Sequence, residues 1–142
     1  AHLQGEMVTP ICLDESIRSI RDVYLALEIG ACRIINIKPG RVGGLSSAKA
    51  IHDLCVEHEM PVWCGGMLES GIGRAHNLAL AALPGFTLPG DISASRRYWN
   101  EDIVTPEFVL DGGTVSVPSG PGIGVEVRKD LLDAWAVRQA DF

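Results

Sequence analysis

Positive charge is scarce in this sequence: 12 lysines and arginines stand against 18 aspartates and glutamates, for a formal net charge of -6. That balance leaves no basic stripe for a phosphate backbone, so nucleic acid is not expected as a partner. Long apolar runs are missing as well. No stretch of about 18 apolar residues occurs, which argues against a transmembrane helix and a membrane partner. The first residues, Ala1 to Gly5, lack the charged and apolar regions of a signal peptide. A soluble cytoplasmic protein is the expectation. The four cysteines, Cys12, Cys32, Cys55 and Cys64, form no Cys-x-x-Cys pair and have no histidine at ligand spacing. Buried free thiols are expected, rather than disulfides or zinc ligands. What remains is ordinary globular material: 142 residues, 46% of them hydrophobic, enough for one domain with a real core.

The stretch that organises the rest runs from Arg33 to Gly44, Arg-Ile-Ile-Asn-Ile-Lys-Pro-Gly-Arg-Val-Gly-Gly. It reads as a strand over 33 to 37, with Ile34, Asn36 and Lys38 sharing one face and Ile35 and Ile37 the other. Pro39-Gly40 stops the pairing and opens a glycine-bearing loop. Lys38 therefore stands where a strand ends. In an α/β barrel the chemistry is done at that end, and a desolvated lysine there can serve as base or nucleophile; elsewhere a strand-end lysine simply reaches for water.

Before this stretch, Pro10 to Leu13 reads as a short strand ending on Asp14. Ser16 is the expected N-cap of a helix over 17 to 29, closed by Gly30 and burying Ile17, Ile20, Val23, Tyr24 and Leu27. After it, a helix is expected over 46 to 58 with Ala50, Ile51, Leu54 and Cys55 inward, and His52 and His58 solvated. A third strand over 61 to 64 ends on Gly65-Gly66-Met67 and leads to a helix over 72 to 82. Glu69 either points into the site or caps that helix, and the tryptophans read as core or interface residues. Phe86 to Asp91 reads as a fourth strand closing on an acid. Beyond it, Phe108 to Leu110 and Val115 to Val117 suggest a hairpin about Asp111-Gly112-Gly113, and 128 to 138 suggest a closing helix with Leu131, Leu132 and Trp135 on its apolar face. Strands alternating with helices call for parallel βαβ units.

Parallel strands place their ends on one rim, here Asp14, Lys38, the Gly65-Gly66-Met67 turn and Asp91. A carboxylate suits magnesium, a lysine can act as a base, and paired glycines let a substrate approach backbone N–H groups. The set describes a site for an anionic substrate.

The runs Ile11 to Ser16, Asn36 to Gly44, Trp63 to Arg74 and Leu88 to Ser93 resemble the enolase superfamily. Within its muconate lactonizing enzyme subgroup they are similar to the o-succinylbenzoate synthase and N-acylamino acid racemase group. The resemblance implies an α/β fold: the C-terminal half of a (β/α)-barrel over 1–92, about four βα units. A hairpin and helix tail over 93–142 would pack on the barrel or on a capping domain. It implies Asp14 as one of three carboxylate ligands to Mg2+, and Lys38 as one of two acid/base lysines. Gly65, Gly66 and Met67 would line the pocket of a small carboxylate substrate, with Asp91 and Ser93 at its rim. The activity implied is abstraction of a proton α to a carboxylate, either dehydration in menaquinone synthesis or racemisation. The other two metal ligands and the other lysine have no counterpart here, and neither does the rest of the barrel, which takes about 200 residues or more. A partner is therefore expected, either another copy or a missing N-terminal half. Two rival readings are a Schiff-base aldolase-like barrel with Lys38 as nucleophile and a non-catalytic, self-associating half-barrel scaffold.

Overall fold

The computed structural model describes residues 1–140. It opens on a short helix, α1 (His2–Glu6). No apolar period marks this segment, and it is held by one polar side chain. The buried Gln4 donates to the carbonyls of Met7 and Thr9 at 3.3 Å and accepts the Ile11 N–H at 2.7 Å, which seats α1 against strand β1 (Cys12–Leu13).

Helix α2 (Ile20–Glu28) has its N-cap at Ser19, three residues beyond the expected Ser16. The Ile17 N–H first closes a turn onto the Asp14 carbonyl at 3.0 Å, which buries Ile17 before the helix begins. Asp22 then accepts the Arg18 N–H and the Ser19 hydroxyl, both at 3.0 Å, a box that sets the start at Ser19. The later start rotates the inward face to Val23 and Ala26 and leaves Ile20 and Tyr24 exposed.

Strand β2 (Ile34–Ile37) ends before Lys38, where the expected loop is instead a single helical turn, α3 (Pro39–Val42). Proline at the first helical position has its φ preset for the turn, and Gly43, at φ +93°, ends it. Helix α4 (Leu45–Glu57) buries Ile51, Leu54 and Cys55, but Ala48 takes the inward place expected of Ala50, which is exposed. His52 is also buried rather than solvated. Its ring stacks on Phe86 with centroids 5.0 Å apart, Nδ1 lies 2.9 Å from Asp53 Oδ1, and Nε2 accepts the Gly85 N–H at 3.1 Å. Strand β3 (Val62–Cys64) and helix α5 (Gly71–Ala81) follow close to their expected bounds.

The three strands form one parallel sheet in the order β1-β2-β3, with Leu13 opposite Ile35, Ile35 opposite Val62 and Ile37 opposite Cys64. Ile35, Ile37, Val62 and Cys64 join Val23, Ala26, Ile51, Cys55 and Leu80 in the main core, so the helices cover one face of the sheet. The α/β class holds. The expected fourth strand shrinks to one parallel bridge between Val62 and Phe86, since prolines 84 and 89 bracket the segment and interrupt a ladder.

The C-terminal stretch differs most from expectation. Its two-stranded pairing joins β4 (Val104–Thr105) to β5 (Glu126–Val127), not the predicted hairpin. Of that hairpin only the tip forms, with Asp111 and Thr114 exchanging backbone hydrogen bonds at 2.8 Å across two glycines of positive φ. A second core gathers Val104 and Phe108 onto Ala75 and Leu78 of α5. Helix α6 (Lys129–Trp135) buries no residue, and Leu132 and Trp135 are exposed.

Cys32, Cys55 and Cys64 are buried thiols as expected, whereas Cys12 is exposed. Burial pushes Cys55 and Cys64 up to about 12, so neither forms an appreciable thiolate near neutrality. Iodoacetamide at about pH 8 should therefore add a single label to the folded chain, at Cys12. Peptide mass mapping that finds Cys55 or Cys64 labelled at a comparable rate would contradict the packing.

Candidate active site

The carboxyl end of the sheet carries three charged groups in contact. Asp14 follows β1, Lys38 follows β2, and Arg41 lies three residues further on in α3. The Lys38 ammonium donates to Asp14 Oδ2 at 3.0 Å, and Arg41 Nη1 donates to Asp14 Oδ1. Arg41 uses its other nitrogens as well, Nε on the Ile17 carbonyl at 2.9 Å and Nη2 on the Asn36 carbonyl at 3.0 Å. It therefore ties Asp14, the turn before α2 and the backbone of β2 into one unit. Burial alone would raise the Asp14 carboxyl, but the hydrogen bonds and charges of Lys38 and Arg41 outweigh it and hold Asp14 below the usual carboxylate value of 3.8.

The glycine turn after β3 fits against this cluster. A Cβ at Gly65 would stand 2.5 Å from Asn36 Oδ1 and 2.6 Å from Lys38 Cε, so a larger residue there would displace Lys38. The Gly66 N–H is taken by Asp91 Oδ1 at 2.6 Å, and Met67, exposed, donates its N–H to Glu69 Oε2 at 2.7 Å. The structure thus brings Asp14, Lys38, Gly65, Gly66 and Asp91 to one rim. Ser93 is half-buried and, like Asp91, does not line the cavity described next.

A cavity of about 660 Å³ opens beside Lys38, lined also by Gly65, Met67, Leu45, Glu69 and His76. Glu69 resolves the choice left by the sequence: its Oε1 accepts from Asn77 Nδ2 and its Oε2 from Met67, so it braces the turn while bordering the cavity. His76 Nδ1 sits 2.7 Å from the Ile72 carbonyl and donates to it. Sequence reasoning assigned no role to Arg41, His76 or Asn77. For Arg41 a signal existed, since lysine and arginine three apart around a proline-started turn fall on one side of it. For His76 and Asn77 the signal is only that they stand, with Arg74, as polar residues in a helix of otherwise small and apolar ones. Among the described residues no group of three or more His, Cys, Asp or Glu is placed to hold a metal ion.

The family model described as "Enolase C-terminal domain-like" matches residues 1–131. The o-succinylbenzoate synthase of Bacillus subtilis (strain 168) is 60% identical over 141 residues, covering 99% of this chain and 38% of that protein. The N-succinylamino acid racemase of an Amycolatopsis species is 58% identical over 133 residues, covering 94% of this chain and 36% of that protein. A crystal structure of an enolase superfamily member from Listeria innocua Clip11262 superposes with a TM-score of 0.90 at 56% identity, covering 94% of this chain and 36% of that one. The chain spans a little over a third of the length of the curated relatives it matches.

The depressed Asp14 carboxyl fixes the sign of a pH effect. A lowered folded pKa adds stability that is fully present above 3.8 and is lost as pH falls through the lower folded value. Replacing Asp14 with Asn should lower unfolding stability by about 2 kcal/mol at neutral pH, because two partly buried cations lose their shared acceptor. Urea unfolding should show the gap between parent and variant closing as pH falls below 3.8; an unchanged gap would remove the Asp14 cluster from the account.

Proposed function

The chain belongs to the enolase C-terminal domain-like family, and from that premise we propose that it forms part of an enzyme that abstracts a proton α to a carboxylate. The reaction is that of the o-succinylbenzoate synthase and N-acylamino acid racemase group: dehydration in menaquinone synthesis, racemisation of an N-acylamino acid, or both. The observation that carries the reading is the contact between Asp14 and Lys38 at 3.0 Å, from the ends of adjacent parallel strands. In this reading Lys38 is the acid/base group and Gly65, Gly66 and Met67 form the pocket turn, with Gly65 and Met67 on the cavity and Gly66 set back between them. Asp91 shapes the pocket from behind by holding Gly66, and Ser93 belongs to the same rim. The division at 92/93, with the C-terminal residues as a tail on the barrel, is part of the proposal.

Magnesium is the metal this reading requires. Among the described residues one fits as a ligand of its site, Asp14, with no pair of further carboxylates or histidines grouped beside it; the ion keeps most of its waters unless several oxygen ligands converge. The remaining carboxylates belong outside this chain. When bound, the ion supplies positive charge where a substrate carboxylate gains negative charge. In the chain alone, both Asp14 oxygens are occupied by Lys38 and Arg41 and the Lys38 ammonium is directed at Asp14 rather than at a substrate. The chain alone is accordingly a poor catalyst.

Exposed Tyr24 and Leu25 on α2 and Ile29 at its end, together with β1 as an edge strand of the sheet, support self-association or completion by the missing half. Sedimentation should give a mass above the 15.2 kDa of one chain; a clean monomer would overturn self-association. For the activity, the test assays this chain alone and mixed with the N-terminal remainder of a relative, with and without magnesium. Turnover is expected only in the mixture with metal, and Lys38→Ala should lower it by at least about a hundredfold. A Lys38→Ala mixture as active as its parent would sink the proton-abstraction reading.

A further inference from the structure

The turn that borders the cavity is braced from outside the sheet, by residues the proposed reaction does not use. Glu69 is the middle of that brace. Its side chain takes the Met67 N–H at 2.7 Å and Asn77 Nδ2, while its own carbonyl accepts from the indole Nε1 of Trp99 at 3.3 Å. Two residues on, the Gly71 N–H donates to Asp102 Oδ1 at 2.8 Å. A Cβ at Gly71 would lie 2.1 Å from Val104 Cγ2 and 2.9 Å from Asp102 Oδ2, so the 67–71 loop and the C-terminal residues meet there with no space between them.

Asp102 has little freedom to relax. It is 2% exposed and also accepts the Ile103 N–H at 2.8 Å and the Ser95 hydroxyl at 2.6 Å, with Arg74 Nη1 at 3.4 Å. Ser95 is locked in turn: its N–H donates to the Phe108 carbonyl at 2.9 Å and its hydroxyl accepts the Phe108 N–H at 3.2 Å. A carboxylate on the first N–H of α5 is also favoured by the helix dipole. The two contacts to the loop, at Glu69 and Gly71, lie two and four residues beyond the Met67 amide.

We propose that Asp102, with Trp99 beside it, is a positioning residue for the Gly65–Gly66–Met67 turn, carrying the fold of the C-terminal residues into the wall of the pocket through Gly71 and Glu69. The proposal rests on the reading of that turn as a substrate-pocket wall. Its test does not depend on turnover, so the two fail separately.

Amide exchange and ¹H–¹⁵N spectra of this chain supply the test. Trp99→Phe removes the indole donor and keeps the aromatic bulk. It should speed exchange of the Met67 amide by about threefold to tenfold and shift its resonance, with Ile37 in β2 unchanged. Ser95→Ala should do the same at Gly71 and Met67 by loosening Asp102. Asp102→Asn, which retains one oxygen for Gly71 but leaves Arg74 without its counter-charge, should give the largest local effect where it folds. Unchanged Met67 and Gly71 amides in Trp99→Phe and Ser95→Ala would overturn the proposal. So would a uniform acceleration that includes Ile37, which would mark these residues as parts of the general packing only.

Discussion

Asp14 holds the Lys38 ammonium on one carboxylate oxygen and the Arg41 guanidinium on the other, at the end of a strand only two residues long. So short a strand has few ladder bonds with which to fix its register against β2, and a slip of one residue would turn Leu13 out of the core. The ion cluster supplies the missing constraint at the strand end. It works because Arg41 also grips the Ile17 and Asn36 carbonyls, so the charges are held by a fork already anchored to the backbone at both ends. Lys38 then has few directions in which to point, and the Gly65 gap receives its side chain. Position of the sheet and position of the chemistry have one cause.

Two of the carboxylate clusters differ in solvation. Asp14 and its cations keep some exposure, so their attraction is moderated by water and can be exchanged for another partner at modest cost. The Arg74–Asp102 pair is about 1% exposed on both sides, and Arg74 Nε and Nη2 have no hydrogen-bond partner. A pair of that kind is costly to assemble and more costly to break, so its value lies in fixing one arrangement rather than in net stability. In the proposed reading, the cluster that would change partners is the less buried of the two, and the one that holds the pocket turn in place is the dry one.

Much of this was legible in the sequence where one residue type dictates one geometry. Period-2 apolar residues around Ile35 and Ile37 marked the central strand, and the acids, lysine and glycines at successive strand ends marked one rim. What failed to show has physical reasons. The start of α2 depended on a side-chain box at Ser19 and Asp22 that competes with an equally good cap at Ser16. His52 was misread, and Gln4 drew no reading, because burial of a polar side chain depends on its partners in the fold, the Gly85 amide and the Ile11 amide. The hairpin about Gly112-Gly113 had correct turn chemistry, but Val104 found Val127 instead, and pairing between segments more than 20 residues apart leaves no local trace.

The two faces of the sheet are finished to different degrees. Toward the helices, Ile35, Ile37 and Val62 are fully buried. On the other face Cys12 is exposed, Trp63 is half-buried with its indole N–H on Cys12 Sγ at 3.3 Å, and both polar atoms of the Asn36 amide are buried without a partner. An unsatisfied buried amide costs about 1–3 kcal/mol per group, and all-parallel sheets are normally covered on both sides. Asn36 touches the same Gly65 gap as Lys38, and Lys38 touches Asp14. The unsatisfied Asn36 amide and the Asp14–Lys38 contact are therefore neighbours through the Lys38 side chain, and a change at Gly65 would disturb both.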